Sequence, residues 1–306
     1  MLMERRVVAV KIEAVEGTAE TLAASDATFL VFKPKVELDI NQLKRDPARA
    51  TLSQMATVSG KRSGKISFSC ELKGSGAAGT APSISSLMKA CGHSETIVAS
   101  TSVTYKPASS SIPSATIGLY ADGLIFKGWG ARGNVKIGAK GGEIVMLDFE
   151  FSFADFSVTD GALLSPTYEN VAPQPFLAAA FAIGGYSAII SSLTLDPANT
   201  IAMRESVSSS SGNLSAMITN RDPKITFDPE MATVAAHDFF GRWRSGVTGA
   251  LSTVIGATAG NIVTISAPAV RYTKVSDSDR NGIAASSIDA ALVLSSGDDE
   301  YSIALT

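Results

Sequence analysis

The chain has 306 residues, of which 45% are hydrophobic and 18% charged, with a formal net charge of −3. This composition is enough for a sizeable hydrophobic core and excludes an intrinsically disordered chain. The length predicts about two domains of roughly 150 residues each. The 26 glycines and the scarcity of long helical patterns favour a mainly β architecture.

The N-terminal stretch MLMERRVVAVKIEAVEG lacks the apolar core and the cleavage site of a secretory signal. The longest apolar run, residues 176–183, is far too short to cross a bilayer. Cys70 and Cys91 fall on predicted core faces, so we expect two free buried thiols. We therefore expect a soluble chain that is synthesised in a reducing cytoplasm and does not contact a membrane.

The first elements in chain order are a predicted strand at 29–40, a long polar loop at 41–64 and a second strand at 65–73. Within this region, SGKRSGKIS (59–67) has the glycines and cations of a phosphate loop. Its spacing does not match G-x-x-x-x-G-K-[ST], and the residues after it alternate as in a strand rather than forming a helix. We therefore predict a basic loop that leads into a β-strand, and not a nucleotide site.

A short amphipathic helix follows, SISSLMKACG, with Gly92 as its C-terminal signal. The proline-rich segment 163–175 then divides the chain near its middle. After it, strands near 188–195 and 224–228 precede a second short helix within VAAHDFFGRWRSG. The order of elements in the first half is thus repeated in the second.

Three landmarks support this repeat, because each is displaced along the chain by the same amount to within a few residues. They are a strand position, the start of the helix and the start of the C-terminal stretch of each half. The three pairs are Ile66 and Ile225, Ile84 and Ala236, and Gly141 and Gly297. We predict a tandem duplication of a β-sandwich or split-barrel unit with one short flanking helix, with unit 1 at 1–162, a linker at 163–175 and unit 2 at 176–306.

No constellation of residues predicts chemistry. The two histidines, His93 and His237, have no nucleophile nearby in the sequence, and we expect both to lie on the surface. The cysteines and histidines lack the close spacing of metal ligands. We predict no catalytic, cofactor-binding or metal-binding residues, no cofactor, and no enzymatic activity.

The charge is distributed unevenly. Residues 1–153 carry 18 basic and 14 acidic residues, whereas residues 154–306 carry 8 and 15, so the halves have net charges of +4 and −7. A basic cluster surrounds the predicted loop, and a cluster of this kind can indicate contact with nucleic acid. It contains no aromatic residue that could stack on a base, which weakens that interpretation. An acidic surface on another copy of the chain is an alternative partner, with Asp277, Asp279, Asp298 and Asp299 as candidates.

Four stretches are informative together: KIEAVEGTAETLAASDATFLVF at 11–32, GKRSGKISFSCELKGSG at 60–76, SISSLMKACGHSET at 83–96, and the region from FFGRWRSG at 239 to residue 305. They resemble the major tail tube proteins of long-tailed, non-contractile bacteriophages. The resemblance implies a β-sandwich related to the tube proteins of contractile tails and type VI secretion. It also implies a structural virion protein that assembles into stacked rings, forming the tube through which the genome leaves.

The resemblance assigns roles to two sets of residues. A loop that packs against the next ring is expected at 41–64, with these residues: Lys44, Arg45, Arg49, Leu52, Met55, Lys61 and Arg62. Alternation in the flanking strands then predicts a core face and a face toward the lumen of the tube. The predicted core residues are Leu30, Phe32, Val36, Leu38, Ile66, Phe68, Cys70 and Leu72. The predicted lumen-facing residues are Lys33, Lys35, Glu37, Asp39, Ser67, Ser69, Glu71 and Lys73.

The implied partners are further copies of the chain, a tape-measure protein, and the tail initiator and terminator proteins, with double-stranded DNA passing through non-specifically. If both halves contribute equivalent strands, three copies supply six units and the ring is a trimer with pseudo-sixfold symmetry. One alternative is a hexameric tube protein whose second half is a decoration domain. Another is a non-enzymatic β-sandwich that acts as a binding or fibre protein.

Overall fold

The computed structural model describes residues 2 and 4–306, which form eighteen strands and two short α-helices. The predicted mainly β class is confirmed. The first half contains β1 (Arg6–Ile12), β2 (Phe32–Leu43), β3 (Val58–Glu71), α1 (Ser85–Ala90), β4 (His93–Val98), β5 (Ser102–Pro107), β6 (Ala115–Ala121), β7 (Gly123–Lys140), β8 (Met146–Phe153) and β9 (Asp155–Gly161). The second half contains β10 (Ala180–Ile183), β11 (Ile190–Asp196), β12 (Asn199–Glu205), β13 (Asn213–Arg221), β14 (Lys224–Pro229), α2 (Phe239–Ser245), β15 (Gly249–Ile255), β16 (Val263–Arg280), β17 (Ile283–Leu292) and β18 (Ser302–Leu305).

One layer is an eight-stranded sheet in the order β2-β3-β8-β7-β11-β14-β17-β16, to which each half contributes four strands. The second layer consists of β1, β6 and β9 beside the first half. Beside the second half it consists of β10, β15 and β18, extended by β5 and β4 of the first half. The two longest strands, β7 and β16, pass from one layer into the other. Each half is therefore a sandwich whose two sheets share one strand.

The bend of β7 between the layers lies at Gly130, which has a φ of +64°. Its N–H donates to the buried carboxylate of Glu13 over 2.7 Å. A Cβ at this position would lie 2.9 Å from the carbonyl oxygen of Leu214. Glycine is required here both for the left-handed backbone and for the close approach of β13.

Strand pairs in the two halves share one register. In the first half, β2 pairs with β3, and in the second half β11–β12 pairs with β13–β14. A single shift in residue number, that from Ile66 to Ile225, converts residue pairs of the first strand pair into residue pairs of the second. We call it the hairpin displacement. The corresponding pairs are Val36↔Ile66 and Leu195↔Ile225, Glu37↔Lys65 and Asp196↔Lys224, Ile40↔Arg62 and Asn199↔Arg221, Gln42↔Ser59 and Ile201↔Ile218, and Leu43↔Val58 and Ala202↔Met217.

A local irregularity is repeated as well. The register of the first pair shifts between Ile40 and Gln42, and that of the second shifts between Thr200 and Ile201. The hairpin displacement carries the first irregularity onto the second. A shared bulge at the same place is strong support for a tandem duplication, because bulges are retained within families of related structures.

The two hairpins differ in how they leave the sheet. The first hairpin, β2 and β3, is continuous and ends in a tip at residues 44–57. The second hairpin, β12 and β13 with a tip at 206–212, forms a separate two-stranded sheet. Pro197 and Pro223 interrupt the chain at its base, and proline cannot donate to a strand ladder. The second hairpin therefore turns away from the eight-stranded sheet and packs on the first half.

The boundaries of the predicted loop at 41–64 were wrong. β2 continues to Leu43 and β3 begins at Val58, so both Gly60 and Gly64 lie within a strand. A Cβ at Gly64 would come within 2.3 Å of the Phe153 ring. This glycine allows an aromatic side chain to pack on the strand; it does not form a turn.

The predicted correspondence between the C-terminal stretches of the halves was also wrong. β8 pairs with β3 and β7, and the strand with the equivalent neighbours, β14 and β16, is β17. The pair Arg132↔Ser152 matches the pair Arg271↔Ala291, because both members move along the chain by the same amount. We call this the long-strand displacement. β18 instead pairs with β16 and β5 in the other layer.

The main hydrophobic core extends through both halves, from Val8 to Leu305. Ile66, Phe68, Cys70 and Leu72 are buried, as predicted. The prediction of burial was wrong for three residues, which are about 40% exposed. β2 is an edge strand that extends beyond the sandwich at one end, and the segment before it lies on the rim. These three are Leu30, Phe32 and Leu38.

Cys70 and Cys91 are free and buried, as predicted. Burial raises the pKa of both thiols, because the core does not solvate a thiolate.

The histidines are buried, so their predicted place on the surface was wrong. Nδ1 of His93 lies 3.0 Å from the Met88 carbonyl oxygen, and Nε2 lies 2.7 Å from the Tyr301 hydroxyl. A neutral ring satisfies both contacts by donating to the carbonyl and accepting from the phenol. His237 stacks on Tyr186 with ring centroids 5.0 Å apart.

Burial lowers the pKa of His93 to about 4. Between pH 6.5 and about 4 the unfolded chain binds a proton that the folded chain does not, so acidification through this window reduces stability. We expect a loss on the order of 3 kcal/mol from this residue, complete near pH 4. Urea unfolding at intervals from pH 7 to 4 measures it, with His93→Gln as the control, which keeps a donor and an acceptor but does not titrate. Equal pH slopes for the two proteins would contradict the assignment.

Candidate assembly surfaces

The eight-stranded sheet has one face on the core and one polar face. On the polar face of the first half, Lys65 Nζ lies 2.8 Å from Glu150 Oε1, and Ser69 donates to Asp148 over 2.5 Å. The hydrogen bond from Lys65 to Glu150 is the main reason why the pKa of Lys65 is raised. Lys65 and Glu150 are diagonal neighbours on adjacent strands, and their opposite charges stabilise this face through a short-range pair.

The polar face continues into the second half. There Thr226 donates to Asp289 over 2.9 Å. Thr226 occupies the position of Ser67 under the hairpin displacement, and Asp289 occupies that of Glu150 under the long-strand displacement. The two halves therefore present the same combination of a hydroxyl and a carboxylate on this face.

Seven of the eight predicted lumen-facing residues are at least partly exposed. Those of β2 are exposed, and the side chains of Lys35 and Glu37 form an ion pair at 2.5 Å. The exception is Lys73, which is buried and donates to the carbonyls of Glu169 and Val171. Its assignment to the lumen was wrong, because this ammonium binds the segment that joins the halves and does not face solvent.

Sequence reasoning missed the part of the polar face that β7 and β8 supply. In MLDFEFSF the polar residues alternate with buried ones, and that pattern was available as a signal. An open groove of about 630 Å³ crosses this region, and Met203 of the second hairpin forms part of its wall. The missed residues are Asn134, Lys136, Asp148, Glu150 and Ser152.

The tip of the first hairpin projects from the fold. Leu52 is fully exposed, and Lys44 pairs with Asp46 at 2.8 Å. Arg49 donates to the carbonyl of Ser53 within the tip. The tip thus presents an apolar side chain and several cations to solvent.

Lys61 and Arg62 do not lie in this tip. They are residues of β3, and each pairs within its own chain, Lys61 with Glu205 at 2.6 Å and Arg62 with Asp155 at 3.1 Å. Their inclusion in the loop was therefore wrong. Of the predicted loop set, Lys44, Arg45, Arg49, Leu52 and Met55 are in the tip.

The eight-stranded sheet has an unpaired strand edge at each end. β2 is the terminal strand on one side. At the other end, residues 271–280 of β16 pair with β17 on one edge, and no strand in the described chain pairs with their second edge. In the middle of the sheet, the corresponding edge of β7 pairs with β11 through residues 137–140 and 192–195.

No group of three or more metal-ligating side chains occurs in the described residues, 2 and 4–306. No helix in that part of the chain is long and apolar enough to cross a membrane. The surfaces described above are the two strand edges, the polar face and the projecting tip.

The sequence profile of the phage tail tube protein family matches residues 4–300. The chain belongs to this family. No curated protein matches the sequence. The match covers both halves, so the whole β-rich chain is a tail tube protein, a structural component of the bacteriophage virion. The strand edges and the tip are accordingly surfaces of a structural subunit.

Proposed function

We propose that this tail tube protein assembles with copies of itself into closed rings of three, which stack into the conduit for genome ejection. The observation that carries the proposal is the pairing of β7 with β11 between the halves. The edge of β16 that corresponds to the paired edge of β7 is unpaired, and so is the edge of β2 that corresponds to the paired edge of β11. Pairing β16 with β2 of the next copy repeats the internal junction.

The shared registers support a tandem duplication, in which each half is one unit of the ring. They also predict the register between copies. The hairpin displacement relates Leu195 to Val36. The long-strand displacement relates Leu147 to Ser286, whose partners are Ile137 and Asp277. Ile137 therefore corresponds to Asp277, because a bulge between Tyr272 and Lys274 adds one residue to β16. The internal pair Leu195↔Ile137 therefore corresponds to Val36 opposite Asp277 of the neighbouring copy.

This register brings the segment with Lys33 and Lys35 beside the acidic end of β16, so opposite charges meet along the new strand pair. The resulting barrel has no exposed strand edge, and three copies contribute eight strands each.

The polar face would line the tube. Two of its lysines are paired with carboxylates, Lys65 with Glu150 and Lys35 with Glu37. Each phosphate that an unpaired cation neutralises adds affinity for DNA, so paired charges keep the lumen from binding the genome strongly. This function needs no catalytic residue or cofactor.

The tips of the first hairpins would connect successive rings, and the end rings would meet the tape-measure, initiator and terminator proteins. The subunit would be synthesised in the host cytoplasm and end in the virion tail. Charge supports the order within a ring, since halves of +4 and −7 alternate around it and opposite charges meet at each lateral contact.

Cryo-electron microscopy of the assembled protein tests the ring. We expect three copies per ring, with six similar but unequal units in projection, because each chain supplies two units. Six copies per ring would contradict the proposal and favour a hexamer whose second half decorates the outside of the tube.

A further inference from the structure

We infer that the α2–Arg271 face of one copy binds the stem of the first hairpin of the adjacent copy in the same ring. The α2–Arg271 face consists of Phe240, Trp243, Val247 and Arg271. The stem consists of residues 38–43 and 58–63, below the tip. The inference rests on the proposed ring and identifies a second lateral contact beyond the pairing of strand edges.

The first half shows how such a face holds a hairpin. Arg132 of β7 is buried and donates to the carbonyl oxygens of Ala216 in the second hairpin, at 2.5 Å, and of Ile112, at 2.8 Å. The Asn199 amide, at the start of that hairpin, donates to the carbonyls of Cys91 and Gly133. These bonds fix the second hairpin across β7 and the end of α1.

Close packing accompanies these bonds. Gly92, which follows α1, has a φ of +83°, and a Cβ there would lie 3.0 Å from Ile218 Cδ1 of the second hairpin. A glycine at the end of the helix and an arginine on the long strand therefore form one receptor for the hairpin.

The second half contains a corresponding site, formed by a glycine and an arginine, on which no hairpin of the described chain packs. Arg271 corresponds to Arg132, because the long-strand displacement superimposes their strand pairs. Gly246 ends α2 in the left-handed conformation, and the Arg271 guanidinium lies 3.0 Å from where its Cβ would be. The side chain of Arg271 is exposed and has no hydrogen bond or ion pair to any residue in 2 and 4–306.

Apolar side chains surround this vacant receptor. Phe240, Trp243 and Val247 are 46%, 40% and 54% exposed, whereas the neighbouring Phe239 of α2 is buried. Trp243 donates to the Thr273 carbonyl on the unpaired edge of β16, so the helix lies along that edge. An apolar patch beside an unpaired strand edge is typical of a surface that is covered on assembly.

The first hairpin matches the occupant. The hairpin displacement relates its stem to the docked part of the second hairpin and makes Thr57, just beyond the stem, the counterpart of Ala216. Four apolar side chains of the stem are 38–49% exposed: Leu38, Ile40, Leu43 and Val58. When β2 pairs with β16 of the neighbouring copy, the stem follows that edge to Arg271, as the second hairpin follows β7 to Arg132.

Arg271→Ala tests the contact, with Lys106→Ala as the control, an exposed cation of β5 in the other layer. Neither side chain has a partner among the described residues of the free subunit, so both variants should unfold at the wild-type temperature. We expect Arg271→Ala to raise the protein concentration needed for ring formation at least about tenfold, and Lys106→Ala to leave it unchanged. Equal assembly by the two variants, or an equal loss in both, overturns the inference.

Cross-linking identifies the occupant. A chain with Ser59→Cys and Val247→Cys is assembled and treated with a short bis-maleimide, and each single-cysteine chain serves as a control; the native thiols are buried. We expect covalent products that end at the trimer, because lateral contacts close within a ring. Products that end at the hexamer support the contact but contradict the proposed ring size. Covalent products larger than a hexamer, or no covalent products from assembled rings, overturn the inference. If the wild-type protein forms no rings, the proposed function itself is refuted.

Discussion

Proline at one of two adjacent positions on β16, Asp277 or Ser278, should abolish ring formation while leaving the subunit folded. The N–H groups of neighbouring residues in a strand point to opposite edges, and both residues pair with β17, to Ser286 and Ala285. Proline at the position whose N–H faces β17 removes a ladder bond and destabilises the subunit. Proline at the other position removes only a donor on the unpaired edge.

We therefore expect one of the two proline variants to unfold near the wild-type temperature and to remain monomeric at concentrations at which the wild type forms rings. Thermal unfolding and size-exclusion chromatography measure the two properties. Asp277→Ala and Ser278→Ala, which keep the N–H, are the controls and should assemble. Rings from the stably folded proline variant would show that this edge does not join copies.

Replacing the tip of the first hairpin should separate ring formation from stacking. Residues 44–57 are exchanged for Asn-Gly, a two-residue turn that suits the closing pair Leu43↔Val58. The subunit should keep its stability, because the tip projects into solvent, whereas stacking should be lost. An exposed ion pair contributes only about 0 to 1 kcal/mol. A fully buried Leu52 or Met55 would contribute roughly 1.5–3 kcal/mol, and each ring carries three tips.

Electron microscopy should then show single rings in place of tubes. The same exchange at residues 206–212 is the matched control. Its tip accepts a hydrogen bond from the Arg62 N–H at the Ser211 carbonyl, so its loss should lower the stability of the subunit. Full-length tubes from the first variant would exclude the tip as the connector between rings.

The sequence was most informative where local alternation and tertiary packing agree. Lys65-Ile66-Ser67-Phe68 and Lys224-Ile225-Thr226-Phe227 have the same pattern, and the displacement between them is the one that relates the strand pairs. Alternation identified the buried residues of β3 because one face of that strand packs on the core and the other is polar. It failed for Leu38 in β2, since alternation marks a face but not the point at which the opposing layer ends.

Other features were beyond the reach of the sequence. The burial of His93 depends on Tyr301, which lies in the last strand region of the other half. The docking of the second hairpin depends on Arg132, Glu16 and Ala216, which no local pattern connects. Asp148 and Glu150 could have been assigned to the polar face, had the alternation in β8 been interpreted as it was for β3.

The junction of β7 and β11 also affects how a ring forms. Six separate units would have to meet by diffusion at every contact, and each encounter would cost translational freedom. A covalent link makes the contact between two halves intramolecular, with an effective concentration in the millimolar range for short connections. In a ring of three such chains, half of the lateral contacts exist before any two molecules collide. Three molecules then meet in two encounters and the third contact closes the ring, so incomplete arcs are fewer and shorter-lived than those of a six-membered ring.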